Sequence, residues 1–158
     1  MIYVGVIGGS IADEKNLKIA YEVGKYIAEN GWILVCGGLT GVMESAAKGA
    51  FENNGTTIGI LPGSDKNSAN KYIKFPIATG LGIARNYIII QSSDILIAIN
   101  GSYGTLNEIS AALNLKKRVI AINSWKLEKA GVVDKNLFYE ASTPEEAISI
   151  AKRFINGT

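Results

Sequence analysis

Apolar residues fall into two alternating rhythms along this chain. Short β-rich runs at Tyr3–Ile7, Trp32–Val35, Thr56–Ile60, Ile95–Ile99 and Val119–Ile122 predict strands, and the stretches between them carry helical periodicity. In the first such stretch Leu17, Ala20, Tyr21, Gly24, Ile27 and Ala28 share one face, behind a cap at Asp13 and ahead of a stop at Asn30-Gly31. A second helix is expected from Val42 to Asn53, stopped by Asn54-Gly55, and a third from Thr105 to Leu115. The last is the clearest: Thr143-Pro144-Glu145-Glu146 supplies cap, first-turn proline and capping-box acid ahead of Ile148, Ala151 and Ile155. The run Tyr87–Ile90 is polar nowhere, which predicts a helix buried in the core or in a subunit interface. Between Pro62 and Ile83 the chain is punctuated by Pro62, Gly63, Pro76, Gly80 and Gly82 and reads as a loop-rich rim, with a short strand expected only at Tyr72–Phe75.

Strands apolar on both faces and alternating with helices predict an α/β fold: a doubly wound, mostly parallel sheet with helices on both faces. The 158 residues suit one domain spanning 1–158, large enough to bury a core without disulfides or metals. A hydrophobic fraction of 47% with scattered charges fits a globular chain, and no apolar run approaches the roughly 18 residues of a membrane span. The net charge of +2 gives no reason to expect nucleic acid on a broad basic surface. Met1-Ile-Tyr-Val begins a strand without the features of a secretory signal, so the expected compartment is the cytoplasm.

The inventory of reactive side chains narrows the chemistry sharply. Histidine is absent and Cys36 is the single cysteine, which removes His-Cys zinc sites, Ser-His and Cys-His pairs and imidazole as a base. Proton transfer near neutral pH falls to a carboxylate, a lysine, a tyrosine, Cys36 or water. Cys36, at a strand end, reads most simply as a small buried hydrophobe.

In a parallel sheet the strand ends share one edge, where ligands of open α/β folds bind. Four glycine-bearing turns fall on it: Gly8-Gly9-Ser10, Cys36-Gly37-Gly38-Leu39-Thr40-Gly41, Pro62-Gly63-Ser64 and Asn100-Gly101-Ser102-Tyr103-Gly104-Thr105. The last, a strand, a glycine turn and a helix start, is the build of an anion site, because glycines admit close backbone approach and first-turn amides favour phosphate. Each turn also has a plain reading. Gly8-Gly9 suits a tight turn, Gly37-Gly38 suits loop geometry, and Thr105-x-x-Glu108 has the spacing of a capping box in which Glu108 bonds back to the Thr105 amide. Arg85, beside the apolar run, suits a phosphate or carboxylate through paired hydrogen bonds, or else a solvated helix end. No Gly-x-x-x-x-Gly-Lys-Ser/Thr occurs, the first turn is not Gly-x-Gly-x-x-Gly, and the second strand ends in Cys36-Gly37 rather than an acid, so P-loop and NAD readings fail.

With Gly37-Gly38-x-x-Gly41-x-Met43, Gly82-x-x-Arg85-Asn86 and Gly101-x-x-Gly104-Thr105-x-x-Glu108 in this order, the chain resembles the Lonely Guy (LOG) or "lysine decarboxylase-like" superfamily, over roughly Val4 to Ile122. Within it, the chain looks most like the small branch similar to molybdenum cofactor carrier proteins. The resemblance implies a Rossmann-like fold, no decarboxylase activity, and a homo-oligomer, dimer or tetramer. The LOG enzymes hydrolyse the N-glycosidic bond of nucleoside 5′-monophosphates to free base and ribose 5-phosphate. Their signature Pro-Gly-Gly-x-Gly-Thr-x-x-Glu aligns with Asn100 to Glu108. Carried over, it implies Glu108 as catalytic carboxylate, Arg85 as its basic partner, and Gly101, Ser102, Gly104 and Thr105 on the phosphate. Gly8, Gly9, Ser10, Gly37, Gly38, Gly41, Met43, Asn86 and Tyr103 complete the expected ligand site, with no metal ligands. Asn100 and Ser102 replace the proline and second glycine of the signature, and Asn86 stands where the enzymes carry lysine. Carrier-like relatives keep the glycine turns and bind a phosphorylated pterin instead. The expected ligand is therefore small and phosphorylated, a nucleoside monophosphate cleaved or a molybdenum cofactor carried or sensed, and no cofactor is required for either.

Overall fold

The computed structural model describes residues 1–128 and 134–157. The five expected strands pair side by side and two four-residue strands extend the sheet at its edges. They are β1 (Tyr3–Gly8), β2 (Ile33–Cys36), β3 (Thr56–Leu61), β4 (Phe75–Ala78), β5 (Ile95–Ile99), β6 (Arg118–Ile122) and β7 (Phe138–Ala141), in spatial order β4-β3-β2-β1-β5-β6-β7. Every pairing is parallel, with Val4 opposite Ile95 and Gly8 opposite Ile99 at the centre. Parallel pairing requires crossovers, and α1 (Glu14–Glu29), α2 (Val42–Glu52), α3 (Asn86–Ser92) and α4 (Tyr103–Asn114) lie in four of them, while α5 (Pro144–Ile155) follows β7. Residues of α1, α2 and α5 form one core with the sheet; those of α3 and α4 form a second on the opposite face. The result is a Rossmann-like, doubly wound α/β fold. β5 is buried along its whole length because both cores cover it.

Local signals act as their chemistry predicts. The Asp13 carboxylate accepts from the Asn16 amide at 2.9 Å, and Gly31, with φ of 68°, lets the chain leave α1. The Thr143 hydroxyl accepts from the Glu146 amide at 3.1 Å; Glu146 in turn accepts from the Ser142 amide, one residue before the cap.

Several boundaries differ from expectation. The strand expected at Tyr72–Phe75 lies at Phe75–Ala78, with Pro76 inside it, which is tolerable because β4 is an edge strand and gives up only one donor. β7 has no counterpart in the expected pattern. The apolar run at Tyr87–Ile90 forms α3, which buries Ile89 and Ile90 in the molecule's own core and leaves Tyr87 outside. α4 begins at Tyr103, not Thr105, with Ser102 at its N-cap. Thr105 is thus inside the first turn, and the capping box that its spacing with Glu108 allows does not form.

One contact sets the tightness of the α1/α2 layer. A Cβ added at Gly24 would overlap the Ala46 carbonyl oxygen, and one at Gly49 the Tyr21 carbonyl oxygen, so the two helices touch backbone to backbone. Gly49→Ala is expected to cost about 2 kcal/mol by overpacking, offset only partly by helix propensity, and to lower Tm by roughly 4–8 °C. Thermal unfolding of the variant checks this; an unchanged Tm would contradict the close packing.

Candidate functional site

The chain leaves β1 to build β2, β3 and β4 on one side, then returns to lay β5 against the other side of β1. Loops diverge at such a reversal, and the crevice between them is where doubly wound sheets bind ligands. A cleft of about 350 Å³ lies there, with Gly8, Gly9 and Ser10 after β1, Gly37 and Leu39 after β2, Pro62 after β3, and Ser102, Gly104, Thr105 and Glu108 from the start of α4. Val6, Ile7, Met43, Ile83, Arg85 and Asn86 complete its walls.

Two of the loops at the cleft are joined by one backbone and one side-chain hydrogen bond. The Val42 amide at the start of α2 donates to Gly9 O at 3.0 Å and the Thr40 hydroxyl donates to Ser10 O at 3.0 Å, stitching the turns after β1 and β2 together. After β5 the backbone takes a left-handed course through Asn100 (φ 50°) and Gly101 (φ 97°). A Cβ at Gly101 would also collide with the Thr105 side chain, so both conformation and space demand glycine. That course delivers α4 with its N-terminus at the cleft. Ser102 makes no side-chain cap bond, which leaves the first-turn amides and the positive end of the helix dipole available to an anion. A Cβ at Gly104 would stand in open space, so bare backbone is presented there.

Arg85 enters from a 3-10 turn at Gly82–Arg85 and is 9% exposed. One guanidinium nitrogen donates to the Asn86 side-chain oxygen and another to Gly37 O at 3.5 Å, while Nε is buried without a partner. Gly37 makes room for it: a Cβ there would stand 2.6 Å from Met43 Sδ and 2.8 Å from Arg85 Nη2. A buried unpaired N–H is costly, which marks Arg85 as a side chain short of one acceptor. Burial lowers the Arg85 pKa, opposed by the Glu108 charge. Glu108 is 8% exposed; burial pushes its carboxyl up to about 7, against the pull of Arg85. The two act on each other through space without forming an ion pair; the one ion pair among the described residues is Lys25–Glu29. At neutral pH the Glu108 carboxyl therefore populates both its neutral and charged forms. A neutral carboxyl does not repel an anion, so Glu108 is compatible with one at the start of α4.

Of the residues expected at the site, Gly8, Gly9, Ser10, Gly37, Met43, Arg85, Asn86, Ser102, Gly104, Thr105 and Glu108 meet in the cleft. Gly38, Gly41, Gly101 and Tyr103 do not line it. Gly38 packs on β3 and Gly41 on the backbone of Gly9 and Ser10, so each shapes a loop rather than a wall. Tyr103 is 80% exposed and stacks on Trp125 at 6.0 Å, and the Trp125 indole N–H donates to Ser102 O at 2.9 Å. Leu39, Pro62 and Ile83 line the cleft and were not among the expected site residues; Leu39 and Pro62 lie in turns expected on that edge, but apolar residues in loops carry no motif. Cys36 is fully buried, and burial raises its thiol to about 11, far from a reactive thiolate. Among the described residues no cluster of three or more Cys, Asp or Glu could hold a metal ion, and no helix is long and apolar enough to cross a membrane.

The fold has counterparts among known proteins. The fold superposes on the molybdenum cofactor binding protein of Rippkaea orientalis with a TM-score of 0.91 at 40% identity, covering 98% of this chain and 97% of that one. It superposes on the Moco carrier protein of Chlamydomonas reinhardtii with a TM-score of 0.90 at 39% identity, covering 99% of both chains. A cytokinin riboside 5′-monophosphate phosphoribohydrolase of Mycobacterium tuberculosis is 34% identical over 96 residues, 59% of this chain and 51% of that protein. The model of the SLOG cluster4 family matches residues 1–152, and the chain belongs to that family.

Proposed function

We propose that this protein binds a phosphorylated, ring-bearing small molecule of the molybdenum cofactor kind and holds it intact, as a carrier does. The observation that carries the reading is the uncapped N-terminus of α4 facing a cleft in which Arg85 keeps a buried Nε–H without an acceptor. Helix amides and a guanidinium together suit a phosphate ester, the first by dipole and the second by directed hydrogen bonds. The pterin cargo is supported by likeness along the whole chain to a molybdenum cofactor binding protein and a Moco carrier. Assembly into a homo-oligomer is part of this reading, supported by Phe75, Ile77, Leu81 and Tyr87, which are apolar and exposed on β4, the turn after it and α3.

A second reading is favoured by Glu108, whose carboxyl titrates near neutrality inside the cleft. Hydrolysis of a nucleoside 5′-monophosphate adds water across the C1′–N bond: the base leaves with the bonding pair and takes a proton, and hydroxide ends on C1′. A charged Glu108 would stabilise the oxocarbenium-like state and a neutral one would donate a proton. Incubating the protein with AMP and, separately, with a metal-free pterin phosphate distinguishes the two. The carrier reading predicts thermal protection by the pterin phosphate with no adenine released from AMP. Adenine release that disappears in Glu108→Ala would replace it by the hydrolase, and protection by neither would overturn both.

A further inference from the structure

The connection that leaves β6 reaches back onto the turn that opens α4. Asn100 N donates to Ile122 O at 3.0 Å, which ties the start of that turn to the end of β6. Two side chains just beyond β6 then bond carbonyls of the turn: the Ser124 hydroxyl donates to Asn100 O at 2.7 Å, and the Trp125 indole N–H donates to Ser102 O at 2.9 Å. The Trp125 ring also packs against the α3/α4 core and stacks on Tyr103, so the strap is itself anchored.

The direction of these bonds matters because a trans peptide points its C=O and its N–H opposite ways. With the Asn100 carbonyl drawn toward the β6 connection, the Gly101 amide faces away from β6, the side on which β1 and the cleft lie. The Ser102 carbonyl is shared between Trp125 and the Leu106 amide inside α4, which directs the Tyr103 amide out of the helix. Among the described residues no acceptor meets the amides of residues 101–105. Nothing within the turn stiffens it. Asn100 and Gly101 lie at φ 50° and 97°, a left-handed course that a non-glycine residue leaves readily unless its surroundings hold it.

We propose that Ser124 and Trp125 are positioning residues of the site, holding the turn at 100–102 so that the amides at the start of α4 meet a phosphate already aimed. The role rests on the cleft being a phosphate-ester site. Neither residue lines the cleft, so both act through the turn. Released from the strap, the turn samples other conformations, and affinity falls with the fraction of molecules that keep the competent one.

Ser124→Ala deletes one bond and Trp125→Phe the other, the phenyl ring keeping the stack on Tyr103 and the packing on the core. Calorimetric titration with AMP and with a metal-free pterin phosphate is run at a temperature where thermal unfolding shows each variant fully folded. For whichever ligand the wild type binds, each variant should bind roughly three- to tenfold more weakly. Amide proton–nitrogen spectra separate positioning from other causes of weaker binding. In ligand-free Ser124→Ala the signals of Gly104 and Thr105, whose peptides Ser124 does not touch, should shift, and saturating ligand should return them to the wild-type bound positions. Wild-type affinity in either variant overturns the proposal, as does weakened binding with those free-state signals unmoved; both outcomes leave the phosphate site standing. Binding of neither ligand by the wild type overturns the phosphate-ester reading itself, and the strap's role with it.

Discussion

Replacing Glu108 by glutamine is expected to erase a loss of stability that the ligand-free wild type suffers between about pH 4.5 and pH 7, the ordinary and the folded-state values for this carboxyl. Below that window the folded and unfolded states both carry the proton. Within it only the folded state does, so each added pH unit lowers stability by about 1.4 kcal/mol. Above pH 7 the full cost is present, roughly 3 kcal/mol for a group this deeply buried. Glutamine has nearly the same shape and no charge to desolvate, so the variant should equal the wild type at pH 4 and exceed it by about that amount at pH 8. Chemical denaturation at both pH values reads the difference directly. A wild type and variant that track each other across the range would mean that Glu108 is solvated or paired, and the cleft would lose its neutral acid.

Arg85→Ala is expected to weaken binding of AMP or of a metal-free pterin phosphate, whichever the wild type takes, by roughly 10- to 100-fold, the range for hydrogen bonds to a charged group. Arg85→Lys should recover little of this, because an ammonium lacks the planar fork that reaches the Asn86 oxygen and Gly37 O while keeping Nε for the ligand. The same change removes the positive charge that opposes the rise of Glu108, so in Arg85→Ala the loss of stability with pH should extend to higher pH. Unaltered affinity in the alanine variant would remove Arg85 from the binding site.

The fold was legible in the sequence because its strongest signals are local. β5 reads as a strand from Ile95 to Ile99 with no knowledge of its neighbours, and Asp13 and Thr143 cap helices through bonds reaching three residues. β7 was not legible: Phe138–Ala141 is four residues long, includes the exposed Glu140, and is a strand only because Val119–Ile122 lies beside it. Much of the site was legible for a related reason, since in a parallel sheet every turn after a strand falls on one edge and the glycine turns were visible. Whether Thr105-x-x-Glu108 forms a capping box was not: its spacing allows one, but the helix starts two residues earlier, after the left-handed course through Asn100 and Gly101. Tyr103 lies next to Ser102 and Gly104 in sequence but turns to Trp125, a partner that no local pattern announces. Leu39, Pro62 and Ile83 come from three loops, and their convergence follows only from the order of the strands.

The most direct test of the site is a crystal structure of the wild-type protein with AMP or a metal-free pterin phosphate at saturating concentration. The predicted result puts the phosphate on the amides of Gly104 and Thr105, with the ligand within hydrogen-bond reach of Arg85 Nε. A phosphate bound at the β6–β7 end of the sheet, or a cleft without ligand at saturation, would contradict it.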